Sequence, residues 1–158
     1  MLSIRPAEVS DVPLLNILIH EFAEFERLPI TVTEEDLLRD GFGEQPRFRV
    51  LMAEWNGQPA GYAIFFDYYS TFDGRAGLFL EDVYVRDVYR GKGIGKSLLA
   101  HIAVIARKEH CFGVRWQVLD WNTPAIDFYR KLGATFLDDR RNVSLQGDAL
   151  ERIAGSAE

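Results

Sequence analysis

Apolar residues follow two different spacings along this chain. After position 11 and again after position 96 they recur every three or four residues, which predicts amphipathic helices. Between positions 48 and 85 they form dense runs rich in β-branched and aromatic residues, which predict strands. The pattern predicts strands at 2–5, 48–55, 60–69, 78–85 and 113–119, one or two short strands in 134–146, and helices from 11, from 34, at 96–109 and at 122–132.

Turn and cap residues define these boundaries more closely. Asn56-Gly57 favours a two-residue hairpin turn, because both residue types tolerate a positive φ. Ser10 and Thr33 are predicted N-caps, and Gly133 is predicted to end a helix. The tail, residues 149–158, is polar and is expected to fray. An antiparallel meander followed by strand–helix–strand crossovers predicts an α/β (α+β) fold, with helices packed on one mixed sheet.

The composition is that of a globular protein with one domain, predicted over residues 1–158. Of these residues 47% are hydrophobic and 27% are charged. No apolar run approaches the roughly 20 residues of a membrane helix, and the first residues lack a signal-peptide pattern. Cys111 is the only cysteine, which excludes an intramolecular disulfide and favours a cytoplasmic location. The histidines and Cys111 show no metal-ligand spacing, so no metal is expected.

Charge is divided unevenly along the chain. Residues 1–89 hold 7 Lys and Arg against 16 Asp and Glu, which is −9, and the remaining residues carry 11 against 8, which is +3. The total of −6 argues against a nucleic-acid-binding protein. One explanation is that both parts of the chain carry solvent-exposed charged faces that bind no ligand. The other explanation is a cationic ligand near the first part and an anionic ligand near the second.

A glycine-rich turn, Arg90-Gly91-Lys92-Gly93-Ile94-Gly95-Lys96, joins a predicted strand to a predicted helix. Glycines let backbone N–H groups approach an anion, and the start of a helix adds partial positive charge. A P-loop is excluded because Arg90 occupies the position of its first glycine. A dinucleotide fingerprint is excluded because the glycine spacing is G-x-G-x-G. A tight turn without a ligand remains the alternative.

This turn resembles the pyrophosphate loop of the Gcn5-related N-acetyltransferase (GNAT) superfamily, Arg/Gln-x-x-Gly-x-Gly/Ala. Residues 119–134, which include Asn122 and Tyr129, resemble the second signature of that superfamily. The similarity runs from about Ile4 to Gly147 and is strongest to the diamine branch, which contains spermidine/spermine acetyltransferases and their thialysine-acetylating relatives. The loop 69–75 lacks the tryptophan of polyamine-specific members, which favours the thialysine type.

The resemblance implies a GNAT-type mixed, mostly antiparallel sheet of six or seven strands flanked by about four helices. It implies a transferase that moves an acetyl group from acetyl-CoA to the primary amine of a small cationic acceptor by direct attack in a ternary complex. The acceptor would be a thialysine-like or lysine-like amine, or a diamine or polyamine. A homodimer paired through sheet edges is expected, as in relatives. Acetylation of a peptide or protein amine and an acyl-CoA-binding sensor are the alternatives.

The resemblance also implies the catalytic groups. Tyr129 matches the general acid, since a phenol stays protonated at neutral pH and can donate to a thiolate. Glu81 is expected to contact the amine and to relay its proton through water, with Asp82 or water alone as other possible bases. In a regular strand Glu81 and Asp82 would face opposite sides of the sheet, unless a bulge intervenes.

The same resemblance assigns the binding positions. Glu26 could hold a distal ammonium, and Arg115 is either a surface residue or a partner for a substrate carboxylate. Cys111 is expected in the core rather than as a nucleophile. The coenzyme positions are Val83, Tyr84, Val85, Arg90, Gly91, Lys92, Gly93, Ile94, Gly95, Lys96, Asn122, Pro124, Ala125 and Tyr129. The substrate positions are Phe25, Glu26, Glu81, Arg115, Trp116 and Gln117.

Overall fold

Five strands lie side by side in chain order to form one mixed sheet. The first three pairings are antiparallel, and only the last, between the fourth and fifth strands, is parallel. These coordinates form a computed structural model that describes residues 1–157. The strands are β1 (Leu2–Pro6), β2 (Arg49–Trp55), β3 (Gln58–Ser70), β4 (Arg75–Val85) and β5 (Val114–Trp116).

Five α-helices accompany the sheet, and short 3₁₀ turns precede α1 and α3. The helices are α1 (Val12–Glu26), α2 (Glu34–Phe42), α3 (Ile94–Lys108), α4 (Thr123–Lys131) and α5 (Gly147–Gly155). The chain forms two compact units, Met1–Gln117 and a second unit that begins at Val118. The first unit contains the whole sheet with α1, α2 and α3, and the second contains α4 and α5. The prediction of a single domain over residues 1–158 stays a prediction.

Two apolar clusters lie on opposite faces of the sheet in the first unit. On one face, here called the α3 face, Ile94, Leu98 and Ile102 of α3 pack against strand residues such as Leu80. On the other, the α1 face, residues of α1 and α2 pack against Tyr62. Truncating one such buried leucine to alanine costs about 2–5 kcal/mol, so these two clusters fix the positions of the helices on the sheet.

A β-bulge in β4 changes which face its residues occupy. Ile64 of β3 lies opposite Asp82 and Phe65 lies opposite Leu80, so Glu81 has no counterpart. Before the bulge the even-numbered residues belong to the α3 face, as Leu80 shows. After it the odd-numbered residues do, since Val83 and Val85 pack on that face while Tyr84 belongs to the α1 face. One inserted residue therefore reverses the alternation of the strand.

Several sequence predictions are confirmed and others are wrong. The Asn56-Gly57 turn and the Thr33 cap are present, and the helices at α3 and α4 start and end within two residues of their predicted bounds. The sheet has five strands rather than six or seven, because residues 134–146, all of them described, contain no strand. The tail is not frayed over residues 149–155, because these belong to α5, so the described residues 1–157 form five α-helices rather than four.

The start of α1 also differs from expectation. Ser10 does not cap it, because it lies inside a 3₁₀ turn, Val9–Asp11, and Asp11 is the N-cap. The Asp11 carboxylate accepts a hydrogen bond from the Glu8 backbone N–H at 2.7 Å and pairs with Arg5 at 2.7 Å. This short-range network, rather than a serine hydroxyl, sets the direction in which α1 leaves β1.

Candidate active site

The end of β4 leaves one edge of the sheet open. β5 pairs only with Leu78–Leu80, so within the described residues no strand pairs with Glu81–Val85 on that side. This stretch contains Val83, Tyr84 and Val85, three of the predicted coenzyme positions. Backbone N–H and C=O groups at such an edge can pair with an extended ligand as they would with a neighbouring strand. The Val85 carbonyl already accepts one hydrogen bond, from Arg90 Nε at 3.1 Å.

The bulge places two carboxylates on the same face. Glu81 follows Leu80 and therefore leaves the α3 face, whereas Asp82 comes two residues before Tyr84 and shares its α1 face. Glu81 is exposed and Asp82 is half-buried. The Tyr62 hydroxyl, at the centre of the α1-face cluster, donates to Asp82 Oδ2 at 3.1 Å. In a regular strand, side chains alternate between the two faces, and Glu81 and Asp82 would lie on opposite faces of the sheet.

Burial and like charges make this face an unfavourable place for negative charge. Desolvation, with a smaller contribution from the charges of Glu81 and Glu26, raises the pKa of Asp82 from 3.8 to about 6, although the hydrogen bond from Tyr62 acts in the opposite direction. Desolvation likewise raises the pKa of Glu26 above its ordinary value. Glu81 and Glu26 both lie close enough to act on the charge of Asp82, so a cation bound beside Asp82 would relieve both burial and repulsion.

The last turn of α1 carries Glu26 to this face, and two contacts fix the helix on β4. Arg86 at the end of β4 donates two hydrogen bonds to Glu21, at 2.9 and 2.7 Å. Phe22 stacks on Tyr84 with ring centroids 5.5 Å apart. Sequence reasoning did not identify Glu21, Arg86 or Tyr62, because each acts through a residue far away in the chain.

The glycine-rich turn has the backbone that an anion site requires. Gly91 and Gly93 have φ of 77° and 79°, a region that disfavours other residues. Gly93 is the N-cap of α3, where no side chain caps the helix and no acid lies in the first turn. The leading N–H groups of α3 therefore point toward the turn, with Lys96 beside them. Lys92 Nζ lies 5.2 Å from the Trp55 ring centroid.

The predicted substrate residues on β5 divide between the two faces. Arg115 pairs in register with Phe79, which lies on the α1 face two residues before Glu81. Its guanidinium lies over the rings of Phe112, at 5.3 Å, and Tyr68, at 5.7 Å. Trp116 instead packs against the α3-face cluster. The structure thus brings Arg115, and not Trp116, to the face of the acids, and Gln117 follows at the end of β5.

In the second unit, the predicted coenzyme residues lie at the N-cap of α4 or within this helix. The Asn122 side chain caps α4 by accepting from the Ala125 backbone N–H at 3.4 Å, and Pro124 lies in the first turn. Proline suits this position because its missing N–H is one that the first turn leaves without a partner. Tyr129 is buried, with 8% of its surface exposed, and its ring lies 5.6 Å from that of Phe128.

A family model described as the acetyltransferase (GNAT) family matches residues 14–134. The chain belongs to this family. It is an acetyltransferase, and the match spans the bulged strand, the glycine-rich turn and all of α4.

The relatives of this acetyltransferase include enzymes named for amino acid substrates. It is 38% identical to the thialysine N-epsilon-acetyltransferase of Sus scrofa, with 96% of each chain covered. It is 32% identical to the L-ornithine N5-acetyltransferase of Arabidopsis thaliana, with 95% of this chain and 86% of the relative covered. An integron cassette protein of Vibrio cholerae shares the fold, with a TM-score of 0.81, 24% identity and 97% of each chain covered.

Neither a metal-binding cluster nor a membrane-spanning helix is found in the described part of the acetyltransferase. Across residues 1–157, no group of three or more His, Cys, Asp or Glu side chains is arranged to hold a metal ion. No helix in the same range has both the length and the apolar character needed to cross a bilayer. Cys111 packs against the α3-face cluster, and burial raises the pKa of its thiol, which lowers its nucleophilicity at neutral pH.

Proposed function

We propose that this acetyltransferase moves an acetyl group from acetyl-CoA to the side-chain primary amine of a small cationic amino acid, such as thialysine or lysine. Diamines and polyamines would be weaker acceptors. The observation that carries the proposal is the bulge at Glu81, which puts Glu81 and Asp82 on one face of the sheet with Glu26. A desolvated acid that is repelled by two neighbouring acids suits a cationic amine better than a neutral or anionic acceptor.

The coenzyme would lie along the open edge of β4. The backbone of Val83, Tyr84 and Val85 would pair with its pantetheine arm, and the turn Gly91–Lys96 would hold its pyrophosphate. The fit of the turn rests on the two positive φ angles and the uncapped start of α3. Asn122, Pro124 and Ala125 are proposed as a further part of the coenzyme site. When bound, acetyl-CoA supplies an activated acetyl thioester.

The chain's own groups would move the protons. The amine enters as an ammonium, because its pKa is near 10.4, and must lose a proton before it attacks. Glu81 accepts that proton through water, with Asp82 beside it as a second acceptor. The nitrogen lone pair then forms the new C–N bond as the C–S bond breaks. Tyr129 donates its phenolic proton to the departing thiolate. The acetylated nitrogen loses its remaining extra proton to water, and water reprotonates the Tyr129 phenolate, so the step balances.

Arg115 would select amino acids over plain diamines. It lies on the same face as Glu81 and one strand away, at a diagonal position that long side chains can span. Stacking on Phe112 and Tyr68 holds its guanidinium in place, so that a substrate carboxylate would meet a pre-positioned partner. Thialysine and ornithine, named in two relatives, both carry such a carboxylate.

The deciding experiment compares amines that differ by one group. Thiol release from acetyl-CoA is measured with lysine and cadaverine, which are identical except for the α-carboxylate, and with thialysine, spermidine and a lysine peptide. We expect lysine and thialysine to exceed cadaverine by at least tenfold in kcat/KM, and Arg115→Gln to remove most of that difference. Turnover of the peptide alone would instead establish a peptide acetyltransferase. Coenzyme binding without turnover of any amine would favour the sensor alternative.

We also propose that the protein forms a homodimer. β1 and β5 are the two edge strands of the sheet, and their unpaired backbone groups can pair with a second copy. Sedimentation equilibrium would show a species of twice the 18.0 kDa chain mass. A monomer at micromolar concentration would refute this assignment. The cytoplasmic location stays a prediction.

A further inference from the structure

We propose that the Arg90 side chain positions Phe25 at the amine site and so determines how tightly the amine binds. This inference rests on the proposed function and on the family resemblance, which implies a substrate position for Phe25 and a coenzyme position for Arg90. Its starting observation is a direct contact between those two residues. The Arg90 guanidinium carbon lies 4.5 Å from the centroid of the Phe25 ring. Arg90, which is expected to bind the coenzyme, thus places its guanidinium over the ring of Phe25, which is expected to contact the substrate.

Arg90 is itself held in place by its own turn. Its Nε donates to the Val85 carbonyl at 3.1 Å, and its Nη1 pairs with Asp87 Oδ1 at 2.5 Å. The Arg90 backbone N–H also donates to the Asp87 carbonyl. The two side-chain contacts orient the guanidinium before any ligand arrives, and the backbone hydrogen bond fixes the main chain at Arg90. A pre-positioned guanidinium loses little side-chain entropy when it stacks on a ring, so the contact with Phe25 retains most of its energy.

Phe25 lies at the end of its helix, where a contact from the coenzyme turn can act on it. α1 ends at Glu26, and Arg27 leaves the helix with φ of 57°. The residues of α1 that pack in the α1-face cluster come earlier in the helix, and 38% of the Phe25 surface is exposed. Since Glu26 is the next residue, any freedom of Phe25 passes directly to the carboxylate that faces the ammonium. The Arg90–Phe25 contact therefore fixes the last turn of α1 from the side of the coenzyme turn.

The test separates the effect on the amine from the effect on the coenzyme. Steady-state rates with lysine are measured at saturating acetyl-CoA for wild type, Arg90→Met, Phe25→Ala and the double variant. Met keeps a flexible, unbranched side chain but removes the guanidinium and its charge. A cation–π contact of this kind predicts a rise in the KM for lysine of about 3- to 30-fold, with kcat changed less than twofold. In the double variant we expect no further rise beyond the larger single effect.

Two more variants make the result specific. Arg90→Lys keeps a cation that can lie on the ring and should restore at least half of the lost affinity on a logarithmic scale. Lys96→Ala, in the same turn, should raise the KM for acetyl-CoA and leave the KM for lysine unchanged once the coenzyme is saturating. Thermal unfolding of each variant shows that it is folded.

Three outcomes would overturn the inference. One is a change confined to the KM for acetyl-CoA in Arg90→Met. Another is an additive effect of Arg90→Met and Phe25→Ala on the KM for lysine, and a third is an Arg90→Lys variant no better than Arg90→Met. Absence of wild-type turnover with any amine would overturn the proposed function and this inference with it, and so is distinguishable from the three.

Discussion

Replacing Asp82 by Asn should make the protein more stable at neutral pH and less active. Burial raises the pKa of Asp82 to about 6 in the folded protein, whereas 3.8 is its ordinary value. The folded protein therefore binds this proton more tightly than the unfolded chain does. At neutral pH the carboxyl is ionised in both states, and its ionisation opposes folding. Asn has no such charge, and its amide oxygen can still accept the hydrogen bond from Tyr62.

The size of the effect follows from the two pKa values. Their difference corresponds to about 3 kcal/mol, at 1.36 kcal/mol per pKa unit. Ionisation of Asp82 lowers the free energy of unfolding, whereas ionisation of most carboxyl groups in folded proteins raises it. Well below pH 3.8 Asp82 is protonated in both states and carries no penalty. The penalty grows as the pH rises from 3.8 to about 6, and above that it is constant. Between pH 4 and pH 7.5 the stability of Asp82→Asn relative to wild type should thus rise by about 2–3 kcal/mol.

Urea unfolding at both pH values measures this difference directly. A change of this size also corresponds to about 5–10 °C in Tm at neutral pH relative to pH 4. The matched control is Glu81→Gln, since Glu81 is exposed and its neighbour is not. Thiol release should fall at least tenfold in kcat/KM for Asp82→Asn, because the ammonium loses one of its carboxylates. A stability difference between variant and wild type that is the same at pH 4 and pH 7.5 would refute the reasoning.

Three further perturbations test other parts of the molecule. Tyr129→Phe should lower kcat by about 10²–10⁴-fold while calorimetry shows unchanged coenzyme affinity, and an unchanged rate would show that the phenol donates no proton. Asp11→Asn should cost about 2 kcal/mol at pH 7, because the Arg5 guanidinium at 2.7 Å holds the pKa of Asp11 below its ordinary value. That loss should shrink as the pH falls below 3.8, the reverse of Asp82, and urea unfolding at pH 3 and 7 would detect it. Gly93→Ala should cost about 1–2 kcal/mol and weaken coenzyme binding, since φ is 79° there, whereas Gly113→Ala, with no positive φ and open space around it, should do neither.

The sequence correctly predicted the elements that are determined by residues only a few positions apart. Asn56-Gly57 forms its turn with both φ positive, because neither residue strongly disfavours that region. Thr33 caps α2 because its hydroxyl reaches the N–H of Asp36 three residues on. α5 was wrongly predicted as a fraying tail, because its polar composition outweighed the helical spacing of its few apolar residues. The strands expected in 134–146 were inferred from short apolar runs that do not pair with the sheet.

Some features of the candidate site could likewise be predicted from local sequence, and others could not. The glycine-rich turn could be predicted because its function depends on backbone conformation, and Gly91 and Gly93 adopt the expected region. The bulge could not, because it arises from the register between β3 and β4 rather than from any residue within Glu81 or Asp82. The same register brings Tyr62 to Asp82, 20 positions away in the chain. The contact between the Arg90 guanidinium and the Phe25 ring could not be predicted either, since it joins two segments to which the sequence analysis gave separate roles.

The acids in the first part of the chain divide into paired and unpaired groups. Asp11 pairs with Arg5 and Glu21 pairs with Arg86, while Arg39 pairs with its two neighbouring aspartates. These pairs already enter the sum of −9 for residues 1–89, so the excess lies in acids without such a partner. In the described residues the three acids of the α1 face make no ion pair, and two of them have pKa values raised by burial. A fold selected for stability alone would have replaced Asp82 or given it an arginine. Keeping buried acids without a cation costs stability at neutral pH, and a bound ammonium is the group that would recover it.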